Sequence, residues 1–519
     1  MFRACRLVAF YLTKAEPFPP YLRSYQLVAA ANRRFASRQY AHPCNMNALT
    51  SDTRTSLRPP APSPRAAALG PIALLRALRD NPLEAWTRTH FEQPIVTGNL
   101  LLGEVAVVSD PASIRRVLLE NVGNYRKDSL QRRMLSAVLR DGLLTAEAEQ
   151  WRMQRRTLAP LFAKRCVMRF APAMVRAAET LVDRWRRRGD GHTLDVAAEV
   201  TQLTLDVLER TIFSDGLGGD PEDVRAAMRV YFDTIGRIDP FDVLGLPDFV
   251  PRLGRRRVRP ALRFFDAAVD AIIAARRSRL ETDRSGMPRD ILTLLLEAQD
   301  PETGRGLSEA EVRANVITFI AAGHETTANA ITWSLFLLSH SPLWRQRVAA
   351  EAQREIGGSP DLLAERLVET RAVVEEAIRL YPPLVAISRQ AIGPDELAGQ
   401  RIRSGALVVI APYVLHRHRL LWDRPDSFDP GRFLGAARDR IDRYAYLPFG
   451  AGPRGCIGSA FALQEATVVV AEIVRNFDFH VAPGHKVWPV HRVTLRPQDG
   501  LPMVVRTRAA ARGAERPLS

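Results

Sequence analysis

The sequence predicts a mainly α-helical protein whose strands are few and short. Beyond residue 150 helical patterning dominates, and extended runs are brief. One run, from a candidate cap at Ser308 to Leu338, would span about 50 Å at ~1.5 Å per residue, long enough to cross the molecule. Ahead of it, Pro94-Ile95-Val96 and Val105-Ala106-Val107-Val108 flank the turn-prone Thr97-Gly98-Asn99 and read as two short strands.

Composition narrows the class. The chain of 519 residues can hold one large domain or two or three ordinary ones, and 46% hydrophobic content suits a folded globular protein. Cys5, Cys44, Cys166 and Cys456 are too scattered for a disulfide framework and lack the paired spacing of a zinc site, so a reduced, cytoplasmic setting is expected. The net charge of +16 comes from 73 basic residues, of which 69 are arginine. They are spread along the chain without a nucleic-acid motif, so nucleic acid is not expected as a partner; a basic patch for an acidic redox protein stays open. The longest apolar run near the N-terminus, Leu7 to Leu12, is far below the roughly 18–20 residues of a membrane span.

Residues 1–50 carry seven basic residues and one acid, Glu16, which suits either an Arg-rich transit peptide or text upstream of a true start at Met46. Residues 51–70 are rich in proline, serine and alanine and read as a flexible lead-in, so 1–70 is expected as an N-terminal extension. Asp110-Pro111 opens a helix through Ile114, Val117 and Leu118. Trp151 and Arg155, four apart, share a helix face where an indole N–H and a guanidinium could bind carboxylates; the plain alternative is a solvated basic helix with a packed tryptophan. Residues 160–305 give helices and loops, with loops at Asp239-Pro240 and Pro247-Asp248.

The long run begins with a capping box, Ser308 and Glu311. Its middle, Ala322-Gly323-His324-Glu325-Thr326-Thr327, is poor in helix formers. The threonine hydroxyls can bond to the preceding turn, and the small Ala322 and Gly323 leave room for a diatomic ligand; a helix kink with a surface Glu is the alternative. Glu376 and Arg379 stand three apart on a helix that must end before Pro382-Pro383. Leu384 to Arg389 follows, then Phe428-Asp429-Pro430-Gly431-Arg432-Phe433. Near the end, Phe449-Gly450-Ala451-Gly452-Pro453-Arg454-Gly455-Cys456-Ile457-Gly458 cannot be strand or helix interior and must be a tight loop. Cys456 precedes the helical run from Ser459, where free N–H groups favour a thiolate, and a thiolate held by backbone donors suits the axial position of haem iron. Thr494 to Pro497 and Gly500 to Met503 read as a closing hairpin, and the last residues as a disordered tail, 508–519.

The Cys456 loop resembles the haem-binding signature of the cytochrome P-450 family, with Phe449, Gly450, Gly452, Arg454, Cys456 and Gly458 in place. The resemblance covers roughly residues 71–507, expected as the catalytic domain, and rests on five separated motifs in the family's order. It implies a mainly α fold with a small β-rich subdomain, and haem b (iron protoporphyrin IX) between the long central helix and the cysteine-ligand helix. Cys456 would be the metal ligand. Arg454, Trp151, Arg155 and Arg389 would neutralise the propionates, with Phe449 beside the cofactor. Thr326 would be the hydroxyl presented to dioxygen and Glu325 the acid that relays protons. Glu376, Arg379 and Arg432 would form a buried charge network; the family's usual glutamate at position 431 is glycine here, but the paired arginine is kept. Phe319, Ala322, Leu384, Val385 and Ile387 would line an apolar substrate pocket, and Val414 to Pro425 resembles the meander before the haem loop. The implied activity is insertion of one atom of dioxygen into a hydrophobic small molecule, by hydroxylation or epoxidation. Fatty acids, terpenoids and steroids are all compatible. Arg454, where many soluble bacterial members carry histidine, leans towards the fatty-acid and microsomal branches. No flavin or ferredoxin domain is seen, so electrons are expected from a separate ferredoxin- or flavodoxin-type donor, and a monomer is expected. A peroxide-driven peroxygenase or haem isomerase is the alternative within the class, although both members of the acid–alcohol pair are kept. A non-catalytic haem sensor or carrier is the alternative outside it.

Overall fold

The computed structural model describes residues 57–100, 103–128, 139–214 and 253–508. The basic stretch with Met46, the loops at Asp239-Pro240 and Pro247-Asp248, and the tail from 509 lie outside the described residues. From Leu57 onward the chain forms one compact unit.

Its longer helices are α1 (Pro71–Asp80), α2 (Ala148–Leu158), α3 (Ala171–Arg188), α4 (Val196–Leu208), α5 (Leu253–Thr282), α6 (Glu309–Ser339), α7 (Pro342–Glu355), α8 (Val368–Leu380) and α9 (Ser459–Asn476). The core is the packing of α3, α4, α6, α8 and α9, with Met174, Val200, Val316, Trp333, Val373 and Val470 all inaccessible or nearly so. Helix α6 is apolar on nearly every side because neighbours cover most of its length. It starts as the sequence predicts: the Ser308 N–H donates to Glu311 Oε2 at 2.9 Å, and the Glu311 N–H donates to Ser308 Oγ at 3.3 Å. The Trp333 ring stacks on Tyr381 with centroids 3.8 Å apart, and its indole N–H donates to Leu495 O at 3.0 Å, so the far half of α6 is clamped.

A five-stranded sheet forms the β-rich part. The two predicted strands are present as β1 (Ile95–Leu100) and β2 (Gly103–Val108), in register Ile95 to Val108. Thr97, Gly98 and Asn99 are not the turn between them: they continue β1 and pair with Ala106, Val105 and Glu104, because the ladder to β2 outweighs their local turn preference. Five further strands precede the next member of the sheet beside β2: β3 (Tyr125–Arg126), β4 (His192–Asp195), β5 (Ile387–Ala391), β6 (Asp395–Leu397) and β7 (Gln400–Ile402), the last two paired with each other. Then β8 (Leu407–Ile410) runs parallel to β2 and antiparallel to β5, giving the order β1-β2-β8-β5-β3. Ala106, Val108, Val408, Ile410 and Ile387 pack beneath it with Ile114 and Leu118 as a second core.

Two further expectations are corrected. Residues 57–65 are held against the body and are not a loose lead-in. The Phe428 N–H donates to Leu57 O at 2.9 Å, Tyr381 Oη donates to Pro60 O at 2.9 Å, and Arg65 bridges to Thr87. A proline-rich segment needs no ladder of its own when its carbonyls take donors from the body. The closing segments do not pair with each other either. β11 (Leu495–Pro497) pairs with β10 (Pro489–His491), whereas β12 (Pro502–Thr507) lies between β4 and β9 (Phe477–Val481). Tertiary partners outcompete the short local turn: β12 gains ladders on both sides, and β11 takes the neighbouring β10 instead.

Candidate active site

The site is a loop facing a helix. In the loop, the Cys456 N–H donates to Phe449 O at 2.8 Å, closing the turn, and Gly450 and Gly452 take left-handed φ values of 68° and 69°. At Gly452 any β-carbon would stand 1.8 Å from Leu118 O, so only glycine fits. The loop delivers Cys456 to the start of α9. Its side chain is accessible although protein surrounds it closely. Desolvation pushes the thiol above its usual value, against the Gly458 N–H and the Arg155 guanidinium, which pull it down. The helix-start N–H thus favours the thiolate as expected, with desolvation opposing it and the Arg155 guanidinium adding to the pull.

The charge clamps come from three elements. Arg155, on α2, donates from Nη1 to Gly455 O at 2.9 Å and lies near the thiol, so it braces the cysteine loop. Trp151, one turn earlier, carries the Arg454 guanidinium 4.4 Å above its ring. Arg454 Nη2 donates to Glu147 Oε2 at 2.7 Å, while its buried Nη1 has no hydrogen-bond partner. Buried Arg389, on β5, donates to Ser388 O; burial and the nearby Arg454 push it down to about 10. Glu147 is a residue the sequence reading missed. It precedes α2 in extended backbone, so its four-residue spacing to Trp151 does not place it on the helix face shared by Trp151 and Arg155.

Opposite, α6 is a continuous α-helix, and Ala322 opens to solvent in a stretch whose flanks are buried. Thr326 Oγ1 donates to Ala322 O at 2.6 Å, the bond to the preceding turn expected of it. Glu325 is ion-paired with Arg496 of β11 at 3.6 Å. Gly323 does not make room for a ligand: a β-carbon there would meet Leu208 Cδ2 of α4 at 3.1 Å, so its size serves helix packing. Of the apolar candidates, Ala322 and Leu384 (43% exposed) are accessible. Phe319 packs edge-on against Phe162 at 5.0 Å, Val385 is buried in the main core, and Ile387 belongs to the sheet core.

Behind the site, Glu376 and Arg379 of α8 are fully buried and paired at 2.6 and 2.8 Å. Arg379 also donates to His416 O, Pro425 O and Ser427 O, which ties α8 to the meander. Arg432 approaches Glu376 Oε1 at 3.6 Å, a looser third member. Gly431 sits in a short turn where its N–H donates to Asp429 Oδ1 at 3.1 Å.

This donor set fits a haem. Among the described residues no group of His, Cys, Asp or Glu could hold a bare metal ion, so a lone thiol suits a metal that brings its other ligands with it. The unpartnered Arg454 Nη1 and the buried Arg389 suit carboxylates on that group. Among the described residues, no helix is long and apolar enough to cross a membrane.

Comparisons agree with this chemistry. A cytochrome P450 family model matches residues 59–501. Cyclooctat-9-en-7-ol 5-monooxygenase of Streptomyces melanosporofaciens is 31% identical, across 83% of this chain and 93% of its own length. Cyclooctatin synthase of the same organism is 33% identical, across 74% of this chain and 83% of its own. The crystal structure of the cytochrome P450DA haem domain superposes with a TM-score of 0.74 at 25% identity, covering 86% of this chain and 98% of that one. The chain belongs to the cytochrome P450 family and is a haem-dependent oxidoreductase of the monooxygenase class.

Proposed function

We propose that Cys456 would hold the haem iron through its sulfur and that the chain oxidises a hydrophobic small molecule, by hydroxylation or epoxidation, with electrons from a separate ferredoxin- or flavodoxin-type donor. The observation that carries this is the accessible Cys456 thiol beside the Gly458 N–H and Arg155. When bound, the haem supplies an iron centre that activates dioxygen. The Cys456 sulfur, once anionic, donates electron density, and the Gly458 N–H with Arg155 stabilises that charge. Arg454, stacked on Trp151, and Arg389 would offer guanidinium donors to the propionates, and Phe449 closes the cysteine loop through its carbonyl. On the other face Thr326 Oγ1 holds its proton against Ala322 O, one turn of helix away. Glu325 is the acid that carries protons in, because its partner Arg496 is 46% exposed and brings the pair to solvent. The retention of both Thr326 and Glu325 supports dioxygen over peroxide as oxidant.

The substrate reading rests on Ala322 and Leu384, the accessible apolar side chains of the candidate wall, and on the relative named for cyclooctat-9-en-7-ol. A lipophile of largely hydrocarbon character fits both, and terpenoids, steroids and fatty acids form the panel for a spectral-shift screen. A cytoplasmic setting and a monomer complete the proposal.

One experiment tests the ligand. Reduction under carbon monoxide should give the thiolate-type Soret shift in the native protein and lose it in Cys456→Ala. A native protein without that shift, or a variant that keeps it, sinks the assignment.

A further inference from the structure

Among the described residues, Glu147 is the acid in contact with the Arg454 guanidinium. It stands at the entry of α2 but does not cap that helix; its side chain makes no bond to the first-turn N–H groups. Instead Oε2 accepts from Arg454 Nη2 at 2.7 Å, and Oε1, which makes no hydrogen bond, lies 4.0 Å from Lys127 Nζ. Arg389 feels the same carboxylate, together with Arg454 and Asp128. Three cations from three segments (Lys127, Arg389 and Arg454) therefore converge on one corner, with Glu147 among them and Asp128 beside Arg389. The next residue, Ala148, takes a φ of 48°, a left-handed turn unfavourable for a residue with a β-carbon. That turn aims Glu147 at Arg454 and away from the helix it precedes.

We propose that Glu147 is a positioning and charge-setting residue for the haem. It holds Arg454 stacked on Trp151, so that the unpartnered Nη1 is presented to a propionate, and it offsets part of the positive charge gathered there. This rests on the haem-thiolate reading above. In a poorly hydrated corner a full negative charge disfavours adding an electron to a nearby centre, so Glu147 keeps the iron harder to reduce. Removing its charge makes reduction easier; removing its hydrogen bond frees Arg454 and loosens the propionate clamp.

The test uses the full chain loaded with haem. Cys456 ligation is first verified by the carbon monoxide spectrum, so failure of the haem-thiolate reading is recognised separately. In Glu147→Gln, which keeps the shape and an acceptor for Arg454, the reduction potential from a spectroelectrochemical titration is expected to move positive, and the shift to shrink as salt is raised. In Glu147→Ala, haem transfer to an excess of an apo-globin acceptor is expected to be several-fold faster than in the native protein, with Glu147→Asp between them. An unchanged potential in Glu147→Gln, with the thiolate spectrum intact, overturns the charge-setting role. An unchanged transfer rate in Glu147→Ala overturns the positioning role.

Discussion

Thr326 shows how one side chain acts in two places. Its hydroxyl bonds to Ala322 O, which spares the helix an interior polar group, and it does so where α6 opens to solvent. Substitution to alanine removes the hydroxyl without unbalancing a buried network. Thr326→Ala is therefore expected to fold normally but to lose product per electron pair consumed, by up to about 10²-fold, the range of one proton-transfer group. Released peroxide assayed against consumed reductant checks this, with Thr326→Ser expected to recover most of the coupling. Unchanged coupling in the alanine variant would make Thr326 purely structural. Residues at this scale were legible where spacing is local: Trp151 with Arg155, and Glu376 with Arg379. Glu147 was not, because its partner Arg454 is 307 positions away and no periodicity connects them.

Helix α8 and the meander show the same at the scale of elements. An exposed Glu–Arg pair three apart contributes a few tenths of a kcal/mol. Here both partners are fully buried, and Arg379 spends its remaining donors on three meander carbonyls. Removing one partner then strands a charge. Glu376→Ala is expected to lower unfolding stability by about 3–5 kcal/mol in urea titration. A loss below about 1 kcal/mol would mean that the carbonyls alone satisfy Arg379. Strands β1 and β2 and the cap of α6 were legible because apolar runs and capping residues act within a few positions, although the turn-prone Thr97 to Asn99 extends β1 instead of turning. Strands β5 and β8 were not, since their partners come from the N-terminal side and from each other across a long excursion.

Acid response belongs to the whole molecule, because groups of opposite sign oppose one another. Burial pushes His416 down to about 3 and His324 to about 4, so near and below pH 6.5 the unfolded chain binds protons that the folded chain refuses, and stability falls with falling pH. Glu465, in the middle of α9, runs the other way. It is fully buried, neither carboxyl oxygen has a hydrogen-bond partner, and burial raises its carboxyl well above 4.5. The folded state keeps that proton while the unfolded state releases it, so this residue costs stability as pH rises above 4.5, by about 1.4 kcal/mol per pH unit until its folded pKa is passed. Glu465→Gln, neutral at every pH, is expected to raise Tm relative to the native protein at pH 7 and to give little difference at pH 4.5. Equal differences at both pH values would show that burial does not hold the proton.

By itself the sequence determined the helical class, the α6 helix with its capping box, the existence of strands β1 and β2, the tight cysteine loop and the residues that make up its motifs. All of these follow from backbone preferences and spacings within about one or two turns of chain. Only the tertiary structure decided that residues 57–65 pack, that β11 and β12 go to different sheets, that Gly323 serves the fit of α6 on α4, and that Glu147 sits among the cations of the cofactor clamp. Those outcomes depend on which distant surfaces meet, and on desolvation that exists only once they have met.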